Sequence, residues 1–92
     1  MKSELRLDLL IEGRVQGVGY RYSAKMEAES LYIRGIVKNM SNGTVFITAQ
    51  GEKKAMDNFV RWCFEGPPGA FVKKIEKVHG KKEHFSEFSI LY

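Results

Sequence analysis

The sequence predicts an α+β sandwich in which an antiparallel sheet carries two helices on one face, in the chain order βαββαβ. Three features point there. Leu5, Leu7, Leu9 and Ile11 recur with the period of two that a half-buried strand requires. Two segments, opening at Tyr20 and at Glu52, instead space their apolar residues at the helical period. Asn42-Gly43, a pair that tolerates positive φ, marks a hairpin between two strand-like runs. At 92 residues, 43% of them hydrophobic and 12% aromatic, the chain is long enough for one domain with its own core.

In chain order, strand one alternates its leucines with Arg6, Asp8, Leu10 and Glu12 and ends at Gly13. After a glycine-rich loop, Tyr20, Ala24, Ala28 and Leu31 form the apolar stripe of a short helix, with Lys25, Glu27 and Glu29 toward water. "RGIVKNMSNGTVFITAQG" reads as two strands about the Asn42-Gly43 turn. Val45, Ile47 and Ala49 alternate on the outgoing strand with Thr44, Phe46, Thr48 and Gln50. The second helix carries Met56, Phe59, Val60 and Cys63 at positions i, i+3, i+4 and i+7. It stops at Gly66, since Pro67-Pro68-Gly69 forbids its continuation. A strand around Phe71 to Val78 follows, then a polar turn near Gly80. A closing strand alternates Phe88, Ile90 and Tyr92 and is expected as an extra edge element. Helices on one face of such a sheet give the ferredoxin-like sandwich.

One cysteine, Cys63, excludes an internal disulfide and points to a reducing, cytoplasmic setting. The amino end alternates charges with leucines and reads as neither signal peptide nor membrane span. The net charge of +4 admits an anionic partner. Much of the excess, however, sits at Lys73, Lys74, Lys77, Lys81 and Lys82, a pattern that keeps a strand edge solvated.

The segment with unusual chemistry is "GRVQGVGYRYSA", Gly13 to Ala24. Glycines 13, 17 and 19 free the backbone between strand and helix, so that successive N–H groups and the helix start can turn toward one anion. Arg21 then falls in the first helical turn, where a cation faces the positive end of the macrodipole at a cost of roughly 0.3 to 1 kcal/mol. Two readings relieve that cost: an ion pair with a carboxylate such as Glu12 or Glu65, or a bound anion held by the planar guanidinium. The spacing matches neither G-x-G-x-x-G nor the P-loop, so a single phosphoryl group fits better than a nucleotide. His79 and His84 sit in a polar turn without metal-ligand spacing, and Cys63 falls in an apolar stripe, so neither a metal site nor a thiol nucleophile is expected.

Two longer motifs carry a resemblance. "GRVQGVGYR" is similar to the signature loop of acylphosphatases, and "GIVKNMSNGTVFITAQG" resembles their second signature. Both stand in the family's order and separation, and the similarity runs on through "WCFEGPP" to the end of the chain. The resemblance implies a single acylphosphatase-like domain over residues 1–92. It would be a cofactor-free and metal-free hydrolase that splits the carboxyl-phosphate bond of acyl phosphates to a carboxylate and inorganic phosphate. Carried over by motif position, Arg21 would bind the phosphate with the backbone amides of Gln16, Gly17, Val18, Gly19 and Tyr20, and Asn39 would position the attacking water. A cradle that recognises the tetrahedral dianion predicts competitive inhibition by inorganic phosphate or sulfate, and with no exposed apolar patch evident in the sequence a monomer without a membrane partner is expected.

The chain departs from the family where most relatives have an aromatic residue and it has Ile36, and where some end in Arg-Tyr and it ends in Leu91-Tyr92. The first reads as a packing change beside the site, the second as the loss of a charge near the sheet end. Without the resemblance, Asn39 also reads as a hairpin cap, and the Gln16 side chain either contacts substrate or faces solvent. The alternative function is a noncatalytic phosphate- or RNA-binding module on the same fold. An RNA reader wants stacking aromatics and basic residues on the central strand, whereas "GTVFITAQG" offers only Phe46, so nucleic acid is not an expected partner.

Overall fold

The computed structural model describes residues 3–92. The chain runs β1 (Glu4–Arg14), α1 (Tyr20–Ser30), β2 (Arg34–Asn39), β3 (Val45–Glu52), α2 (Lys53–Glu65), β4 (Phe71–Gly80) and β5 (Phe88–Leu91). The strands form one five-stranded sheet in the order β4-β1-β3-β2-β5. The first four strands pair antiparallel, which is the predicted βαββαβ sandwich. The closing strand does extend an edge, and it lies parallel to β2.

Period-two burial decides which face the helices cover. Leu7, Leu9 and Ile11 of β1, Val37 of β2 and Val45, Ile47 and Ala49 of β3 are all buried on one face. Against them α1 lays Tyr20, Ala24 and Ala28, and α2 lays Met56, Phe59 and Cys63. The two alanines on α1 remove bulk, so that helix sits close to the sheet. Phe59 stacks on Trp62 at 6.2 Å and meets Phe88 edge-on at 6.1 Å, while Tyr20 lies 5.4 Å from Trp62. These rings tie the start of α1, the last turns of α2 and strand β5 into one cluster. Burying each such large side chain contributes about 1.5 to 3 kcal/mol.

The opposite face is polar and crossed by the chain itself. Because β4 and β5 occupy opposite edges, residues 81–87 must traverse the sheet. The sequence shows a polar turn there; the structure shows a strap. Gln50 captures it with its side chain, donating to Glu83 O at 2.8 Å and accepting from Glu83 N at 3.0 Å. Arg6, on the neighbouring strand, donates to Lys81 O at 3.0 Å. The strap explains why Gln50, on a face that alternation assigns to solvent, is buried. The lysine-rich β4 is an edge strand with Lys73, Lys74 and Lys77 exposed, as the charge pattern predicts.

The hairpin differs from the expected two-residue turn. Ser41, Asn42 and Gly43 form a three-residue loop closed by Met40 N to Thr44 O at 2.8 Å, with Gly43 N reaching Met40 O at 3.2 Å. Gly43 alone takes positive φ, at 92°. Asn42 works through its side chain instead, with Oδ1 accepting from Thr44 Oγ1 at 2.7 Å and Thr44 N at 3.2 Å.

Candidate active site

The loop between β1 and α1 behaves as its glycines require. Gly17 and Gly19 lie at φ 75° and 79°, where an L side chain would be strained. Gly19 is the N-cap of α1, and no side chain caps the helix; its first turn contains no acidic residue. Among the described residues, the first main-chain bond of this region is Ser23 N to Gly19 O, so the N–H groups of Gln16 to Tyr22 donate to no main-chain acceptor. Such a row of free donors at a helix start creates positive potential and favours an anion.

Arg21 projects from that turn. Among the described residues it pairs with no carboxylate, so neither Glu12 nor Glu65 relieves its position; its guanidinium instead lies 4.9 Å from the ring centroid of Tyr92. A cavity of about 170 Å³ has Gly17, Gly19 and Arg21 on one side and Asn39 on another, with Val15, Tyr22, Ile90 and Tyr92 among its walls. That volume suits a small anion and falls short of the roughly 300 to 1,000 Å³ of sites that hold drug-sized ligands.

Asn39 enters the cavity from the last position of β2, paired with Val45 across the ladder. Its Oδ1 is buried and has no hydrogen-bond partner. A buried acceptor without a partner costs about 1 to 3 kcal/mol. The hairpin is capped by Asn42, which removes the capping explanation for Asn39.

The structure thus brings Arg21, Asn39 and the loop glycines to one cavity, Arg21 from the first turn of α1 and Asn39 from the end of β2, against which that helix packs. The Gln16 side chain neither enters the cavity nor faces solvent. Its Nε2 donates to Met40 O at 2.8 Å and to Thr44 O at 2.9 Å. Tyr22, Ile90 and Tyr92 complete the walls. Sequence reasoning did not assign these three to the site, because a wall residue has no chemical motif of its own: Tyr22 is placed by the turn of α1, and Ile90 and Tyr92 by where β5 docks. Ile36 lies opposite Thr48 and away from the cavity, so its departure is a change on the strap-side face and not beside the site. Leu91 pairs with Lys38 at the sheet edge.

Burial controls the titratable groups behind the site. The Cys63 thiol is pushed up to about 12, chiefly by desolvation, with the nearby Glu27 charge adding to the effect and a Tyr20 hydrogen bond opposing it. The Tyr20 hydroxyl is likewise raised, first by burial and then by its proximity to Cys63. Both groups are neutral structural members of the core, and Tyr20 donates to Cys63 O at 2.6 Å. His79 and His84 are exposed.

The RNA-reading alternative finds little on the open face. Phe46 is half-buried under Lys38, whose Nζ lies 5.7 Å from the ring centroid, and the strap crosses the neighbouring row.

Comparison with known proteins agrees with the geometry. The acylphosphatase family profile matches residues 7–90. An acylphosphatase of Acaryochloris marina is 40% identical over 91 residues, covering 99% of this chain and 98% of the relative. Among solved structures, an acylphosphatase of Bacillus subtilis superposes with a TM-score of 0.93 at 38% identity, covering 96% of this chain and 99% of that one. An acylphosphatase of Coxiella burnetii also gives a TM-score of 0.93, at 35% identity and with 96% and 93% covered. A match that spans both motifs, the whole sheet and nearly the full length of each relative leaves one assignment: the chain belongs to the acylphosphatase family.

Proposed function

We propose that this chain hydrolyses acyl phosphates by holding the phosphoryl group in the glycine loop and directing water at it from Asn39. The observation that carries the proposal is that Asn39 lines the same cavity as Arg21 while its side-chain Oδ1 has no hydrogen-bond partner in the protein. On this reading the Asn39 amide, engaged by no protein group, hydrogen-bonds a water molecule in the cavity and turns its lone pair toward phosphorus. Arg21 and the amides of Gln16, Gly17, Val18, Gly19 and Tyr20 bind the phosphoryl oxygens and stabilise the charge that builds there.

The chemistry requires little else. The water oxygen forms a bond to phosphorus as the bond from phosphorus to the carboxyl oxygen breaks. The carboxylate leaves with the electron pair, and a water proton passes to a phosphoryl oxygen. A carboxylate is a good leaving group, so positioning and electrostatics suffice. The side chains lining the cavity include no aspartate, glutamate, cysteine or histidine. Positive charge comes from Arg21 and the helix start, and we take the reaction to be metal-independent and cofactor-free. Inorganic phosphate and sulfate, which share the tetrahedral dianion, act as competitive inhibitors on this reading.

The domain is taken as one acylphosphatase unit over residues 1–92, working as a cytoplasmic monomer. In support, one hydrophobic core runs under the whole sheet, and no helix among the described residues is long and apolar enough to cross a membrane.

The test is turnover of benzoyl phosphate, with a phosphate monoester as control, before and after prolonged chelator treatment. Rapid release of phosphate from the acyl phosphate alone, unaffected by chelation, is the expected result. Activity lost on chelation and restored by one divalent ion would remove the metal-free mechanism. No turnover by a protein that still binds phosphate would favour the noncatalytic module.

A further inference from the structure

From the two hydrogen bonds of its side chain, we infer that Gln16 is a positioning residue that sets the distance between the phosphate loop and Asn39. The inference rests on the roles proposed above for the loop and for Asn39.

The topology creates the problem that Gln16 solves. The loop leaves the end of β1, whereas Asn39 ends β2, and β3 lies between them in the sheet. The ladder connects them only indirectly, through Ile11 opposite Val45 and Val45 opposite Asn39. Beyond those pairs β2 ends, and β1 stays paired only with β4, on its far side, as far as Arg14, so no ladder bond fixes the separation of the two segments.

Asn39 is exposed to any error in that separation. Among the described residues no hydrogen bond to protein holds its side-chain amide, and its Oδ1 is without a partner. The position of that amide is therefore inherited from the main chain at the end of β2. The neighbouring residue, Met40, is one of the two that Gln16 grips, at 2.8 Å; the other is Thr44, at 2.9 Å across the hairpin. Both hydrogens of the Gln16 amide are used. They bind carbonyls that already face each other through Met40 N to Thr44 O and Gly43 N to Met40 O, so each carbonyl accepts twice. Gln16 thus clamps the strand end that carries Asn39, while its own main-chain N–H belongs to the loop that takes the phosphate. Both reacting partners, phosphoryl group and water, are referenced to a single residue. Misplacement by about 1 Å can reduce turnover on the order of a hundredfold, so a strut between them has a direct kinetic meaning.

The test is a double-mutant cycle with Asn39. Gln16→Met keeps length and bulk and removes both donors. With benzoyl phosphate as substrate it is expected to lower kcat by about tenfold or more. The inhibition constant of inorganic phosphate should change less than twofold, because Arg21 and the main-chain amides remain. In an Asn39→Ala background the same substitution should cost no further kcat, since the group it positions has gone. Gln16→Asn keeps the amide but is one methylene shorter and cannot span both carbonyls. It should behave like Gln16→Met, and it carries the cycle if the methionine variant does not fold.

Unchanged kcat in a folded Gln16 variant would overturn the inference. So would an equal loss in the Asn39→Ala background, or a phosphate inhibition constant that rises in step with the loss of kcat, which would assign the side chain to the loop's own shape. Failure of the Asn39 reading itself would show separately, as near-normal kcat in Asn39→Ala alone.

Discussion

The hydroxyl of Tyr20 donates to the main-chain carbonyl of Cys63 at 2.6 Å, joining the first residue of α1 to the last turns of α2 inside the core. The bond has a local cause. A helical carbonyl normally accepts from the N–H four residues on, and the residue four beyond Cys63 is Pro67, which has none. The hydroxyl supplies the missing donor. It also anchors the residue immediately before Arg21.

Tyr20→Phe keeps the ring against Trp62 and leaves the Cys63 carbonyl buried without that donor. Stability should fall by about 1 to 3 kcal/mol, on the order of 4 to 8 °C in Tm for each kcal/mol at this chain length. Thermal unfolding followed by circular dichroism measures it; an unchanged Tm would mean that the carbonyl finds another partner.

The raised Cys63 thiol makes a prediction with a definite sign. The folded chain holds the Cys63 proton more tightly than the unfolded chain, whose thiol has its ordinary value of 9.0, so this contribution is fully present below about pH 9. It is lost progressively as pH rises toward about 12, the value in the folded state. Denaturant midpoints should therefore decline through that alkaline window. At pH 8 the native thiol should resist iodoacetamide and react only on unfolding.

Arg21→Lys retains the charge and loses the planar fork. Phosphate binding should weaken by about 1.5 to 3 kcal/mol, read as a rise in its inhibition constant of roughly tenfold to a hundredfold. An unaltered inhibition constant would move the anion site away from Arg21.

Asn39→Ala separates chemistry from binding. If the Asn39 amide orients the water as proposed, its loss should lower kcat on the order of a hundredfold, as for removal of one preorganised catalytic donor. Phosphate inhibition should stay close to that of the parent and Tm should not fall, because the side chain makes no hydrogen bond within the protein and the hairpin is capped by Asn42. Near-normal turnover in the folded variant would end the water-positioning role.

Tyr32 closes α1 in the left-handed region at φ 58°, with Ile33 N bonded to Ala28 O at 2.8 Å and Tyr32 N to Glu29 O at 3.1 Å. Glycine is the residue such a helix end favours, and the Tyr32 side chain is 88% exposed. Tyr32→Gly should thus raise stability by about 1 kcal/mol, the relief of the left-handed strain less the entropy of a glycine. Benzoyl phosphate turnover should be unaffected. A lower Tm would show that the tyrosine ring does more at the surface than its exposure implies.

The sequence by itself determined what depends on neighbours along the chain. Leucines of β1 at every second position and Met56, Phe59 and Cys63 at helical spacing selected element types and buried faces, because periodicity is a local property. Gly17 and Gly19 marked a loop with left-handed backbone leading into a helix, and Arg21 a cation in its first turn, for the same reason, since both are visible within a few residues. Only the tertiary structure decided that Gln16 grips carbonyls 24 and 28 residues away, that Gln50 captures the strap at Glu83, and that Tyr20 completes the end of α2. Every residue carries the same main-chain carbonyl, so no letter of the sequence distinguishes the one that a distant side chain will reach. That choice is made by strand order, which places β3 between the loop and Asn39 and so creates the gap that Gln16 spans.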